Sequence, residues 1–223
     1  MVFVLNKDKI GFPDPHLAEQ DEGLLAVGGD LTPEWLLTAY SNGIFPWFDY
    51  RQDKIHWYCP QDRFVIFPDE MHISHSMQQI INKGQYKVTF NQAFDQVIEG
   101  CSKAQGRNEM EGAWLGGRMI PAYKKLHKLG FATSVEVWRN DNRVNDQIVN
   151  ELVGGLYGVT IGKNFFGESM FSLEPNASKL ALITLATAMQ FTDGIIDCQF
   201  ETPHLRSMGG RHISYDEYMK KIK

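Results

Sequence analysis

The sequence predicts an α+β protein: a small N-terminal α/β domain over residues 1–61, then a larger domain over 62–223 whose mixed sheet is flanked by helices. Three observations carry this. Beyond residue 62, strand-like and helix-like segments are interspersed and several neighbouring strands are joined as hairpins, the order of a mixed sheet with helices packed on it. The first sixty residues are instead punctuated by FPDP, GGD, FPW and Cys59-Pro60, a setting closer to a small loop-rich domain than to a regular sheet. Finally, 223 residues at 43% hydrophobic, 12% aromatic and 22% charged are enough chain of ordinary globular composition to bury a substantial core, which excludes collagen-like, low-complexity and wholly disordered readings.

Each element has a local reason. Thr32 caps and Pro33 opens a short helix over 33–42, with Gly43 just past its end. RFVIFP is a short strand, Ser76 to Ile81 a helix, and YKVTF (86–90) alternates as a strand does. Asn91 can cap a helix whose apolar residues Phe94, Val97, Ile98 and Cys101 recur at helical spacing, followed by a polar loop at 102–109. Residues 118–128 form a helix with Met119, Ile120, Tyr123 and Leu126 inward and its lysines outward, ended by Gly130. FATSVEVWR (131–139) and LVGGLYGVTI (152–161) are strands, the second weakened by glycines, with an exposed hairpin loop at 140–151 between them. A strand at 164–171 precedes a long helix capped by Asn176 and running to Met189. GIIDCQF (194–200) is a further strand, and Ser214 with Glu217 marks a last short helix through a capping box. No internal repeat is visible.

Composition narrows the function. The net charge of −5 and pI near 5.8 supply no global attraction to nucleic acid or anionic membranes. The charges are uneven, however: residues 1–50 carry two bases against eight acids, whereas 115–128 carries Arg118, Lys124, Lys125 and Lys128 with no acid. Three scattered cysteines encode neither a disulfide framework nor a zinc knuckle. The start lacks the apolar core and cleavage site of a signal peptide, and nowhere do 18 apolar residues run together. A cytoplasmic protein is the expectation.

Few residues carry obvious chemistry. In a strand, alternation sends Asp197 and Gln199 to one face and Cys198 to the other, so two polar groups emerge together from an apolar strand. From position alone, the ordinary reading is that they cap backbone or meet solvent at the strand end. Glu168 lies among Phe165, Phe166, Met170 and Phe171, which line a pocket or are simply core. Ser169 in GESMF misses the second glycine of a nucleophile elbow, which excludes a serine hydrolase. His72 and His75 lack a third ligand nearby and read as surface histidines, so no metal site is expected. GGD and WLGGR form no nucleotide-binding loop. Trp47 and Trp114 stand beside turn residues, where flat rings are core or suit stacking on a base.

Taken together, DEGLLAVGGDLTPEWLLTAYSNGIFPWF, FGESMFS, NASKLAL, IIDCQF and HLRSMGG resemble the leucyl/phenylalanyl-tRNA–protein transferase family over nearly the whole chain. The resemblance implies a GNAT-type acyltransferase domain after the N-terminal one. It also implies transfer of leucine or phenylalanine, and less well methionine, from aminoacyl-tRNA to the α-amine of proteins beginning with arginine or lysine, which marks them for degradation. The ester is already activated, so neither ATP, metal nor other cofactor is called for. By motif position, Asp197, Gln199 and Glu168 carry over as the catalytic polar centre: Asp197 orients Gln199 and attracts the ammonium, Gln199 aligns the nitrogen, and Glu168 adds negative charge. Trp47 and Trp114 carry over as walls for the aminoacyl-adenosine end, and Met170 as part of the pocket for its side chain. Arg118, Lys124, Lys125 and Lys128 are the expected tRNA contacts. An acetyl-CoA-dependent acetyltransferase and a non-catalytic tRNA- or terminus-binding module remain as alternatives. The first is disfavoured because FSLEPN, ahead of the helix near 177, lacks the glycines of a pyrophosphate cradle.

Overall fold

A computed structural model describes residues 2–49, 51, 53–105, 115–140, 143–144, 147–148 and 150–223. Strands β1 (Phe3–Leu5), β2 (Leu24–Gly28), β3 (Phe45–Pro46) and β4 (His56–Tyr58) form a four-stranded sheet in the order β1-β2-β4-β3, with helix α1 (Pro33–Tyr40) between β2 and β3. This corrects the loop-rich expectation for the first sixty residues. The strands are two to five residues long, too short for periodicity to register. Pro46, which a central strand would reject, sits on the edge strand β3.

The larger sheet begins with β5 (Asp62–Ile66). After α2 (His75–Lys83) come β6 (Tyr86–Phe90), α3 (Phe94–Gln105), α4 (Met119–Lys128) and β7 (Ala132–Arg139). Residues 102–105 of the expected polar loop at 102–109 are helical instead, because α3 continues to Gln105, with Cys101 fully buried; 106–109 lie outside the described residues. Between β7 and β10 (Glu151–Ile161), β8 (Arg143–Val144) and β9 (Gln147–Ile148) pair antiparallel within the expected hairpin loop. Then follow β11 (Asn164–Ser172), α5 (Ala177–Met189), β12 (Ile196–Gln199), α6 (Pro203–Ser207), β13 (Arg211–Ser214) and α7 (Tyr215–Ile222), whose N-cap is Ser214 as predicted. The seven-stranded order is β13-β5-β12-β11-β10-β7-β6, antiparallel except where β11 runs parallel to β12.

Helices cover both faces. Apolar residues of α3 and α4, including Val97, Ile98, Met119 and Leu126, pack with Tyr157 and Phe166 on one side. Leu180, Ala181, Ile183 and Leu185 of α5 pack with Val135, Leu156 and Ile196 on the other. β7 accordingly buries residues of both alternating sets, Ser134 and Glu136 as well as Val135 and Val137. Glu136 of β7 shows the cost of this arrangement: it is fully buried and takes hydrogen bonds from the hydroxyls of Thr89 and Ser134.

One irregularity positions the site. Strands β11 and β12 pair through just two registers, Phe165 with Ile196 and Phe166 with Asp197. Beyond them, Gly167 to Met170 on one strand and Cys198 and Gln199 on the other line a cavity. Gln199 has a positive φ of 57°, and the register between β12 and β5 slips between Asp197 and Gln199.

Candidate active site

That slip breaks the alternation on which the expected pairing of Asp197 with Gln199 rested, and the two side chains part company. Asp197 is fully buried. Its Oδ1 accepts from Nε of Arg63 at 2.9 Å and its Oδ2 from Nη2 at 2.8 Å, a bidentate pair completed by the Tyr218 hydroxyl at 2.8 Å. Arg63 comes from β5, and its guanidinium lies over the rings of Phe45 and Tyr218, 4.8 Å from each. Buried beside Asp197, it is held firmly protonated despite its own desolvation. Arg63 thus neutralises the charge that was expected to attract an ammonium. Asp197 orients Gln199 through the backbone: Oδ1 accepts from the Gln199 N–H at 2.9 Å, fixing the left-handed turn. The Gln199 side chain reaches the cavity, and its Nε2 is buried with no hydrogen-bond partner.

Glu168, half-buried on β11, meets phenols from two distant elements. Tyr40 at the end of α1 lies 2.5 Å from Oε1, Tyr123 of α4 lies 2.7 Å from Oε2, and the two phenol oxygens are 2.6 Å apart. Burial pushes the Glu168 carboxyl up to about 8, against the pull of the two phenols. Tyr40 and Tyr123 are raised well above the usual phenol range, chiefly by burial and then by Glu168, and keep their protons. Burial thus favours the protonated form of Glu168, against the negative charge expected of it. The unfolded chain releases this proton near 4.5 and the folded one near 8, so across that window the native state binds more protons and stability falls as pH rises. Glu168→Gln abolishes this slope; thermal midpoints of wild type and variant at several pH values check it, and parallel curves contradict it.

Two cavities meet at this centre, sharing Glu168, Cys198, Gln199 and Leu205. One, about 170 Å³, is walled by Leu156, Phe165, Met170, Leu182 and Ile196. The other, about 220 Å³, is walled by Phe45, Trp47 and Phe200. Trp47 is braced against Tyr58 and Phe200, with ring centroids 5.3 and 5.2 Å away. A larger cavity of about 490 Å³ between Phe67, Phe191 and Lys221 contains none of these residues. Trp114 lies outside the described residues.

The basic helix is placed as expected but is partly committed. Arg118 donates to the Asp53 carbonyl at 2.9 Å and lies over the Phe48 ring, while Lys124 faces Asp95 and Glu99 at 3.4 and 3.3 Å. Lys125 and Lys128 are exposed. Arg63, Tyr40, Tyr123 and Tyr218 went unnoticed in the sequence. An arginine inside RFVIFP was the available signal; the tyrosines fall at ordinary core positions of helices.

A family described as "Leucyl/phenylalanyl-tRNA protein transferase" matches residues 65–223, and its N-terminal domain family matches 29–61. Proteins named leucyl/phenylalanyl-tRNA–protein transferase are similar throughout. That of Hydrogenovibrio crunogenus is 48% identical over 222 residues, covering 99% of this chain and 82% of its own. That of Flavobacterium psychrophilum is 46% identical over 216 residues, covering 96% and 97%. That of Syntrophus aciditrophicus is 49% identical over 217 residues, covering 96% and 85%. A solved structure from Bacteroides thetaiotaomicron, described as a conserved protein of unknown function, gives a TM-score of 0.46 at 10% identity over 89% of this chain and 64% of that one, too distant a likeness to bear on fold or activity.

Proposed function

This chain belongs to the leucyl/phenylalanyl-tRNA–protein transferase family and is an aminoacyltransferase, and from that premise we propose that it transfers leucine or phenylalanine, and less well methionine, from tRNA to the N-terminal α-amine of proteins beginning with arginine or lysine, marking them for degradation in the cytoplasm. The observation that carries this reading is the pair of cavities meeting at Glu168 and Gln199. The apolar chamber beside Met170 takes the donor side chain, and the chamber walled by Trp47 takes the terminal adenosine. The ester bond brings its own activation, so the protein's work is to align ester and amine. Gln199 is the aligning group, its unspent N–H donors reaching the ester carbonyl while Oε1 accepts from the incoming amine. Asp197 supports it from behind. No cofactor or metal takes part.

We assign the two folding units to 1–61 and 62–223, the second of GNAT type. The run of antiparallel β7, β10 and β11, followed by α5 and a parallel β12 that soon parts from β11, supports that assignment. Among the described residues, no helix is long and apolar enough to cross a membrane.

Labelled Leu-tRNA incubated with an arginine-starting peptide tests the reading: labelled peptide is expected, and none with either Arg- or Lys-starting acceptors refutes it. Selection is by apolar shape, where one methylene changes rates by about 10–200-fold. Met-tRNA is therefore a slower donor than Leu-tRNA or Phe-tRNA, and β-branched Ile-tRNA slower still. Equal rates for all four contradict the pocket assignment.

Lys125 and Lys128 are the phosphate contacts on α4. Neutralising both lowers the slope of log affinity against log salt by about two and weakens different tRNAs alike. Neutralising Lys124, already paired within the protein, changes it less. A slope that does not move when Lys125 and Lys128 are neutralised removes α4 from the tRNA interface.

A further inference from the structure

The contacts among Glu168, Tyr40 and Tyr123 do not balance if Glu168 is ionised. There are three oxygen–oxygen contacts, at 2.5, 2.7 and 2.6 Å, and each needs one proton between its oxygens, since two lone pairs facing each other at that distance repel. The phenols supply two protons. If both donate to the carboxylate, the contact between the phenols has none; if one donates to the other, a carboxylate contact has none. A protonated Glu168 supplies the third and closes the circuit: Oε1–H to Tyr40, Tyr40 O–H to Tyr123, Tyr123 O–H to Oε2. Running the circuit the other way moves the acidic proton from one carboxyl oxygen to the other without moving a heavy atom.

The surroundings agree. Facing Glu168 besides these two phenols are Tyr157 of β10, whose buried hydroxyl has no partner, Asp197 of β12 and Arg63 of β5. Arg63, the one cation among them, is already held bidentate by Asp197. The Cys198 thiol at the shared wall is raised by burial and stays neutral. The two phenols and Arg63 favour the ionised form, but burial and the Asp197 charge outweigh them. Glu168 also borders both chambers, so it lies where the donor side chain and the terminal adenosine meet at the ester that the acceptor amine attacks.

We propose that Glu168, Tyr40 and Tyr123 form a closed three-proton ring that carries protons during aminoacyl transfer: Glu168 gives its proton to the departing ribose oxygen and recovers one from the acceptor nitrogen through its other carboxyl oxygen. This deepens the transferase reading above and rests on it. The neutral amine forms the N–C bond, the ester C–O bond breaks, one proton passes to the ribose oxygen and one N–H proton returns to the ring. Ester and amine become amide and alcohol, and the ring ends as it began. Glu168 is the proton carrier; Tyr40 and Tyr123 are positioning residues that shift the proton between its two oxygens.

Infrared difference spectroscopy of wild type against Glu168→Gln tests the ring without reference to activity. A protonated-carboxyl carbonyl band at neutral pH, absent from the variant and displaced in Tyr123→Phe, is expected; an ionised Glu168 at neutral pH overturns the proposal. The glutamine amide puts an N–H donor and a carbonyl acceptor in the places of the two carboxyl oxygens, so the thermal midpoint at neutral pH stays close to wild type. It cannot release a proton, so single-turnover transfer at saturating acceptor falls about 10²–10⁴-fold. The deficit shrinks when the donor is a phenylalanine ester of a more acidic alcohol, whose departing oxygen needs less protonation. Near-wild-type transfer by Glu168→Gln, or an equal deficit with both leaving groups, overturns the carrier role. Absence of transfer by the wild type would instead refute the transferase reading and leave the infrared result standing.

Discussion

Asp197→Asn is expected to destabilise the protein by about 3–5 kcal/mol, because it strands the buried Arg63 charge without its counter-ion. For a chain of this size that corresponds to a fall of roughly 6–20 °C in thermal midpoint. The effect is far larger than the loss of one hydrogen bond, since the guanidinium has no water to fall back on and its Nη1 is already buried without a partner. The converse replacement, Arg63→Met, leaves an equally unpaired Asp197 and costs a similar amount. Combining Arg63→Met with Asp197→Leu removes both charges and recovers part of the loss, because a buried pair exchanged for apolar side chains of like volume is often near neutral. Thermal melts of the two single variants and the double variant check this, and an Asp197→Asn protein as stable as wild type contradicts it. Activity lost in Asp197→Asn thus reports first on the fold, and reading it as loss of a catalytic base would mistake a scaffold for a reagent.

Gln199 gives the opposite pattern. Gln199→Gly is expected to cut transfer about 10²–10³-fold, the usual loss when a preorganised donor is removed from a reacting carbonyl. The same change relieves a non-glycine residue at φ 57°, which costs roughly 1–2 kcal/mol, so the variant is at least as stable as wild type. Single-turnover transfer and a melt on the same sample separate the two effects. Full activity in Gln199→Gly would remove its side chain from the alignment of ester and amine.

Much of the larger sheet was legible because its strands and helices are long enough to show their period: 86–90, the helix ending at Lys128 and the helix from Ala177 to Met189 lie where their apolar spacing puts them. The N-terminal sheet was not, since β1, β3 and β4 are two or three residues each and their partners are fixed by tertiary contact. At the site, alternation in the IDCQ strand put Asp197 and Gln199 on one face, and the structure parts them. Alternation holds while the ladder is regular, as it is through Asp197, and one left-handed residue at Gln199 is enough to turn its side chain away from the buried Asp197. Arg63 had a signal in its apolar surroundings. Tyr40 and Tyr123 had none, because a helix's inward tyrosine looks the same whether its hydroxyl is idle or holds a carboxylate.

The contacts that build the centre join residues far apart along the chain. Tyr40 meets Tyr123 across 83 positions and Glu168 across 128; Arg63 meets Asp197 across 134 and Tyr218 across 155. Closing loops of that length costs entropy before the contacts repay it, so these contacts are expected late in folding. A half-formed centre is disfavoured, because Glu168 without α1 and α4, or Asp197 without β5 and α7, is a carboxyl group that prefers water. Competence for transfer therefore arrives together with the complete tertiary structure, and the activity of a sample measures the fraction of its molecules that have finished folding.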